Sequence, residues 1–260
     1  MQGTESETIT FEQPLNERVR TVMRLEHLFE QARFGVDGDT VWHSRLAVAT
    51  LGEILDIFGR GDLKTELMKE LKRVLELLHR LEERPGVDTA RLAEVTRRCE
   101  ELTDRLGSHT GPLGSALRQD DLLATVLQRA GIAGGTCAFD LPRYHRWLSR
   151  PAAARRADLE GWLASIELVR EATETILGLL RDSAIPVECR AEGGMYQRTL
   201  DRNSAHQLVR VELPRSSAMF PEISGTRMFI TIRFMSATGD QERPQQEESD
   251  VDFILQLCAL

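Results

Sequence analysis

Few residues in this chain have types and spacings that suit catalysis. Cys137, Asp140 and His145 lie close together and could supply a thiol nucleophile, an orienting acid and a base. Spacing alone does not make a triad, which is recognised by geometry. As structural residues they read as a core thiol, a helix N-cap and a surface histidine. No phosphate-binding glycine loop, dinucleotide fingerprint, nucleophile elbow or HExxH motif occurs. The four cysteines (Cys99, Cys137, Cys189, Cys258) are far apart, with no CxxC pair and no histidines at ligand spacing. That pattern fits reduced core thiols better than a disulfide frame or a zinc site. Gly134-Gly135 could cradle an anion at a helix start, but reads first as a helix terminator. The expectation is a non-enzyme without cofactor or metal.

Binding chemistry is better represented. Of the 33 basic residues only Lys64, Lys69 and Lys72 are lysines, so nearly all the positive charge is guanidinium. A guanidinium grips a carboxylate as a planar two-pronged donor. Arg227, Phe229, Thr231 and Arg233 alternate with Met228, Ile230, Ile232 and Phe234, which places the first set on one face of a strand. Arg210 similarly points away from Val209, Val211 and Leu213. If these strands are neighbours, their outer face is basic with an aromatic residue at its middle. Arg18, Arg20 and Arg24 stand at the start of the first helix. Such a patch suits a short acidic and apolar peptide, with guanidinium forks for its carboxylates and Phe229 as an apolar anchor.

Two kinds of element must position these groups. From Leu15 to about Ser183 the periodicity is helical almost throughout. One helix is predicted from Pro14 to Phe34, ending before Gly35, and a second from Thr40 to Phe58. A third starts behind Asp62, whose carboxylate can accept from the free N–H groups of the first turn. Its Leu67, Leu71, Val74, Leu78 and Leu81 follow four-three spacing, and Leu92, Val95, Cys99, Leu102 and Leu106 repeat it after Arg84-Pro85-Gly86 and the capping Asp88. The pair is predicted to form an antiparallel hairpin; its outer face could also meet a second copy. Shorter helices follow at Asp120 to Ala130 and from Asp140-Pro142 to Trp147, then a long one from Ala157 to Asp182. Beyond Pro186 the pattern alternates, giving an antiparallel sheet with one buried face. Ser236 to Asp250 reads as a long mobile hairpin loop. Ile9 to Gln13 is also extended and is predicted to join the C-terminal sheet. The fold class is therefore α+β, with an α-helical domain over residues 14–186 and a β domain built from 9–13 together with 187–260.

The bulk numbers narrow the function. A chain of 260 residues with 41% hydrophobic and 28% charged content can bury a sizeable core. A net charge of −8 argues against a dedicated nucleic-acid coat. The segment 122–148, helix–glycine turn–helix, leaves a DNA-binding regulator as the alternative, although its turn is long for a helix-turn-helix. The start, MQGTESETIT, lacks the features of a signal peptide, and no apolar run reaches membrane-spanning length, so a cytoplasmic protein without membrane insertion is expected.

The segments FEQPLNERVRTVMRLEHLF, LDIFGRGDLKTELMKEL, GGTCAFDLPRYHRWL and FPEISGTRMFITIRFM closely resemble, in order, the ZapD family of bacterial cell-division proteins. The resemblance runs through nearly the whole chain. It implies a non-enzymatic partner of FtsZ that acts at the midcell division site, is a homodimer, and bundles filaments by holding two FtsZ C-terminal peptides at once. It also implies a basic pocket, carried over to Arg20 in NERVRT, Arg60 in FGRGD and Arg233 in TIRFM. Where the family has a further basic residue this sequence has Phe229, and the nearest charge is Arg227. Arg18, Arg24, Arg210 and Phe229 are secondary candidates.

Overall fold

The computed structural model describes residues 7–82, 86–201, 204–226, 228–236 and 243–260. The chain divides into two compact units, one of residues 1–20 with 177–260 and the other of residues 21–176. The divisions fall inside the first and last helices.

The first unit is a two-layer β structure. Strand β1 (Thr8–Pro14) pairs antiparallel with β4 (His206–Pro214), as expected for the isolated N-terminal extended piece. With β8 (Val251–Ala259) and β2 (Val187–Ala191) they form a sheet of order β1-β4-β8-β2. A second sheet has the order β3-β6-β5, from β3 (Met195–Thr199), β6 (Phe229–Ser236) and β5 (Met219–Gly225). The alternation does not therefore build a single sheet. An apolar sheet face needs a covering layer, and here that layer is another sheet. Val209, Val211, Leu213, Phe253 and Leu255 from the first sheet and Ile230, Ile232 and Phe234 from the second form one buried cluster. Across it the Phe234 and Phe253 rings are 5.0 Å apart, and Tyr196 meets Phe253 edge-on at 5.3 Å. Gly193 and Gly194 turn the chain from β2 into β3 at positive φ (52° and 68°), where a side chain would be strained.

The segment expected as a mobile loop is partly tied down. A short strand β7 (Gln245–Gln246) pairs with β6, Glu247 N–H donates to Phe234 O at 2.8 Å, and Asp250 accepts from Gly193 N–H at 3.0 Å. Residues 237–242 lie outside the described residues.

The second unit is helical. Helix α1 (Glu17–Asp37) begins behind Asn16, whose Oδ1 accepts from Val19 N–H at 2.9 Å; Pro14 belongs to the strand rather than to the helix. The helix also continues through Gly35 instead of stopping before it. Gly35 is where α1 meets α2 (Val41–Gly59), since a Cβ there would lie 2.8 Å from both Ala47 N and His43 O. The C-terminal carbonyls of α1 are held from α8 (Ala152–Ala164): Arg156 donates to Val36 O (3.1 Å) and Asp37 O (2.9 Å). Arg155, 5% exposed, donates to Ser44 Oγ, Leu148 O, Arg150 O and Asp39 O.

The predicted hairpin is formed by α3 (Leu63–Glu82) and α4 (Thr89–Ser108), started by Asp62 and Asp88. Its seam is as read, except that Leu81 is only half-buried and that Thr96 is buried where Val95 is half-buried. Of the predicted breaker, Gly86 has φ 88°, while Arg84 and Pro85 lie outside the described residues. After α5 (Ser115–Gln119) and α6 (Asp121–Ala130) comes α7 (Pro142–Leu148). Leu141, not Asp140, occupies the N-cap of α7. The single helix expected over 157–182 is two, α8 and α9 (Glu167–Asp182). At the break Ser165 Oγ donates to Trp162 O at 2.7 Å, and Ile166 and Val169 N–H groups bond three residues back. That local competition for carbonyls tightens and ends the α-helical ladder.

Candidate functional site

The outer face of the second sheet carries the strongest candidates within the β unit. On β6, Phe229 and Arg233 are exposed with the buried Thr231 between them. They are four residues apart, about 13 Å along a strand. Arg233 stands opposite Glu222 of β5 and Met195 of β3; Phe229 stands opposite Thr199. Among the described residues no carboxylate pairs with Arg233. Arg227 lies outside the described residues.

Leu15 links this sheet to the start of α1. A Cβ on Gly225, at the end of β5, would lie 2.8 Å from Leu15 Cδ2, so the chain enters α1 in close contact with the hairpin end near Phe229. Arg20 follows one turn later. Its side chain is 41% exposed, and Nε is 3.3 Å from Glu17 Oε2, ion-pair distance without hydrogen-bond geometry. Arg18, half-buried on the same turn, has electrostatic or hydrogen-bond partners of its own.

Arg210 does not join this face. Because β4 and β6 belong to different sheets, it lies on the outer side of the first one. There Arg210 Nε donates to Glu12 Oε1 at 2.8 Å and Nη1 to Gln256 Oε1 at 2.6 Å. Arg181 holds the same carboxylate through two bonds, at 2.9 and 2.8 Å. Burial beside this cluster pushes the Cys258 thiol up to about 11. The network is structural, and nothing in the local sequence indicated that Glu12, Arg181 and Arg210 meet.

Arg24 and Arg60 belong to the helical unit. Arg24 is exposed on α1 and has a partner. Arg60 is exposed at the C-cap of α2, where its N–H bonds to Ile57 O at 3.1 Å. Among the described residues its guanidinium has no ion-pair partner.

The alternative chemistry fares differently. Cys137 is exposed rather than buried in the core, and Asp140 caps nothing. No hydrogen bond joins Cys137, Asp140 and His145 among the described residues. Cys99 and Cys258 are buried, Cys189 half-buried. The helix α6 ends at Gly131, with Gly134-Gly135 in the turn beyond it. Among the described residues no helix is long and apolar enough to cross a membrane.

These features define an α+β protein whose distinguishing surface groups are arginines and exposed apolar side chains. A family model described as ZapD, cell division protein, matches residues 23–233. The Cell division protein ZapD of Methylococcus capsulatus is 43% identical over 252 residues, covering 97% of this chain and 98% of that protein. Those of Aromatoleum aromaticum and an Azoarcus species are 38% and 40% identical, over 97% of this chain and 98% and 100% of theirs. The chain belongs to the ZapD family of cell division proteins.

Proposed function

We propose that this chain binds the C-terminal peptide of FtsZ and, as a homodimer, cross-links FtsZ filaments at the division site without catalysing a reaction. The observation that carries the reading is Arg233, an exposed guanidinium with no ion-pair partner among the described residues, on a sheet face that also exposes Phe229. A peptide with carboxylates and apolar side chains would satisfy both. Arg20 and Arg60 supply further guanidiniums, with Arg227 the substitute for the family's remaining basic position. Arg18 and Arg24 act secondarily. Arg210 contributes through sheet stability, since Glu12 already holds it.

Each contact is weak, and two effects strengthen it. Complementary charge speeds encounter and makes binding salt-sensitive. Two sites on one dimer facing a filament of many identical tails add avidity. Titration of the isolated FtsZ C-terminal peptide into the protein, followed by NMR of the arginine side chains, tests the reading. Responses at Arg20 and Arg233 are expected; saturation without any arginine response would overturn the basic site.

A further inference from the structure

The outer face of the second sheet holds both signs of charge side by side. In the β5–β6 register Glu222 stands directly opposite Arg233, and both residues are exposed. Facing residues of an antiparallel pair lie roughly 5 Å apart at Cα, close enough for opposite charges to attract. Yet neither side chain has a hydrogen-bond or ion-pair partner among the described residues. Apolar groups lie around the two charges. Met195 of β3 flanks Arg233 on its other side, and Met235 stands opposite Phe220 two residues further along β6. In the other direction along β6 lies Phe229, 41% exposed. A cation and an anion are thus open at one place between apolar side chains. We propose that Glu222 is a specificity-determining residue of the peptide site, selecting an acidic and apolar peptide that carries a basic side chain beside its carboxylate.

A ligand carboxylate drawn to Arg233 also comes within a few ångströms of the Glu222 carboxylate. Two like charges about 5 Å apart in water repel by an amount equivalent to roughly fourfold in affinity. A ligand carrying only acids therefore loses at Glu222 part of what it gains at Arg233. A base next to the ligand carboxylate reverses the sign of the second term and keeps the first. Selection by a built-in repulsion is a general device of specific interfaces. Here it would stop a guanidinium face from accepting any anion of suitable size.

The inference rests on the peptide-binding reading above and deepens it. Calorimetric titration of the full chain with versions of the FtsZ C-terminal peptide tests it. Each version carries either arginine or its neutral isostere citrulline at one position next to an acidic residue. At one such position or more, the wild-type chain should bind the arginine version about threefold tighter or better. In Glu222→Gln that ratio should fall to near one. A ratio that Glu222→Gln leaves unchanged would overturn the inference and assign the preference to the net charge of −8. Tightening of both versions alike in Glu222→Gln would overturn it too, leaving Glu222 a mere competitor for Arg233. So would a wild-type ratio of one, or loss of binding by every arginine version. Arg233→Gln binding the unmodified peptide as well as wild type does, or no binding of that peptide by wild type, would instead overturn the peptide site itself.

Discussion

At the residue scale, the arginines separate by what already holds them. Arg210 and Arg181 share one carboxylate, Glu12, whose side chain is 15% exposed. Glu12→Gln leaves two guanidiniums facing a neutral amide, and is expected to lower the urea midpoint by an amount equivalent to about 1–3 kcal/mol. Peptide affinity should be retained. Arg233→Glu is the opposite case, a surface change expected to leave the urea midpoint nearly unmoved. It should weaken the peptide by about tenfold or more, the loss of a charge-assisted bond worth at least about 1.5 kcal/mol. His206 adds a pH dependence. Desolvation first, then Arg198, hold its pKa below the ordinary imidazole value, and Nδ1 is buried without a hydrogen bond. The folded state therefore prefers the neutral ring. Its contribution is complete above the unfolded pKa near 6.5 and is lost as pH falls from there through the lowered folded pKa. The fall in urea midpoint between pH 7.5 and 5.5 should be shallower in His206→Gln.

At the element scale, the start of α2 is held from both sides. Gly35 lets α1 approach within backbone distance, and Arg155 ties Asp39, Ser44 and the end of α7 together. Gly35→Val must push the two helices apart and is expected to cost about 1–3 kcal/mol in chemical denaturation. Arg155→Ala strands the buried Ser44 Oγ and Leu148 O along with two part-buried carbonyls, and is expected to cost at least about 2 kcal/mol by the same measurement. Glycine at position 35 looked like a stop signal because glycine ends helices more often than it seats them against a neighbour. Likewise the periodicity of α8 and α9 runs in phase across the break at Ser165, so pattern alone joined them.

At the scale of the whole molecule, the proposed bivalency is what to measure. Arg20→Glu and Arg233→Glu dimers should carry far fewer bundled filaments into the pellet than wild type, although their mass in solution is unchanged. Raising salt from about 0.05 to 0.5 M should weaken both peptide binding and bundling, because exposed charge pairs are screened over a few ångströms at the higher strength. A monomeric variant that bundled filaments as well as wild type would end the bivalent reading.

The residue pattern by itself determined the class of element almost everywhere: helical spacing to α9, alternation beyond it, the caps at Asp62 and Asp88, and the union of Ile9–Gln13 with the C-terminal strands. These are local properties, set by which side chains must leave water together and which oxygen can reach a free N–H. Resemblance to a family supplied the proposed partner. What only the tertiary structure decided was non-local. Alternation marks one apolar face per strand but carries no information on which strands share a sheet, so Arg210 and Arg233 could be assigned to one surface when they occupy two. The same limit applies to Phe34, Trp42 and Phe139, whose exposure is set by packing and not by residue type.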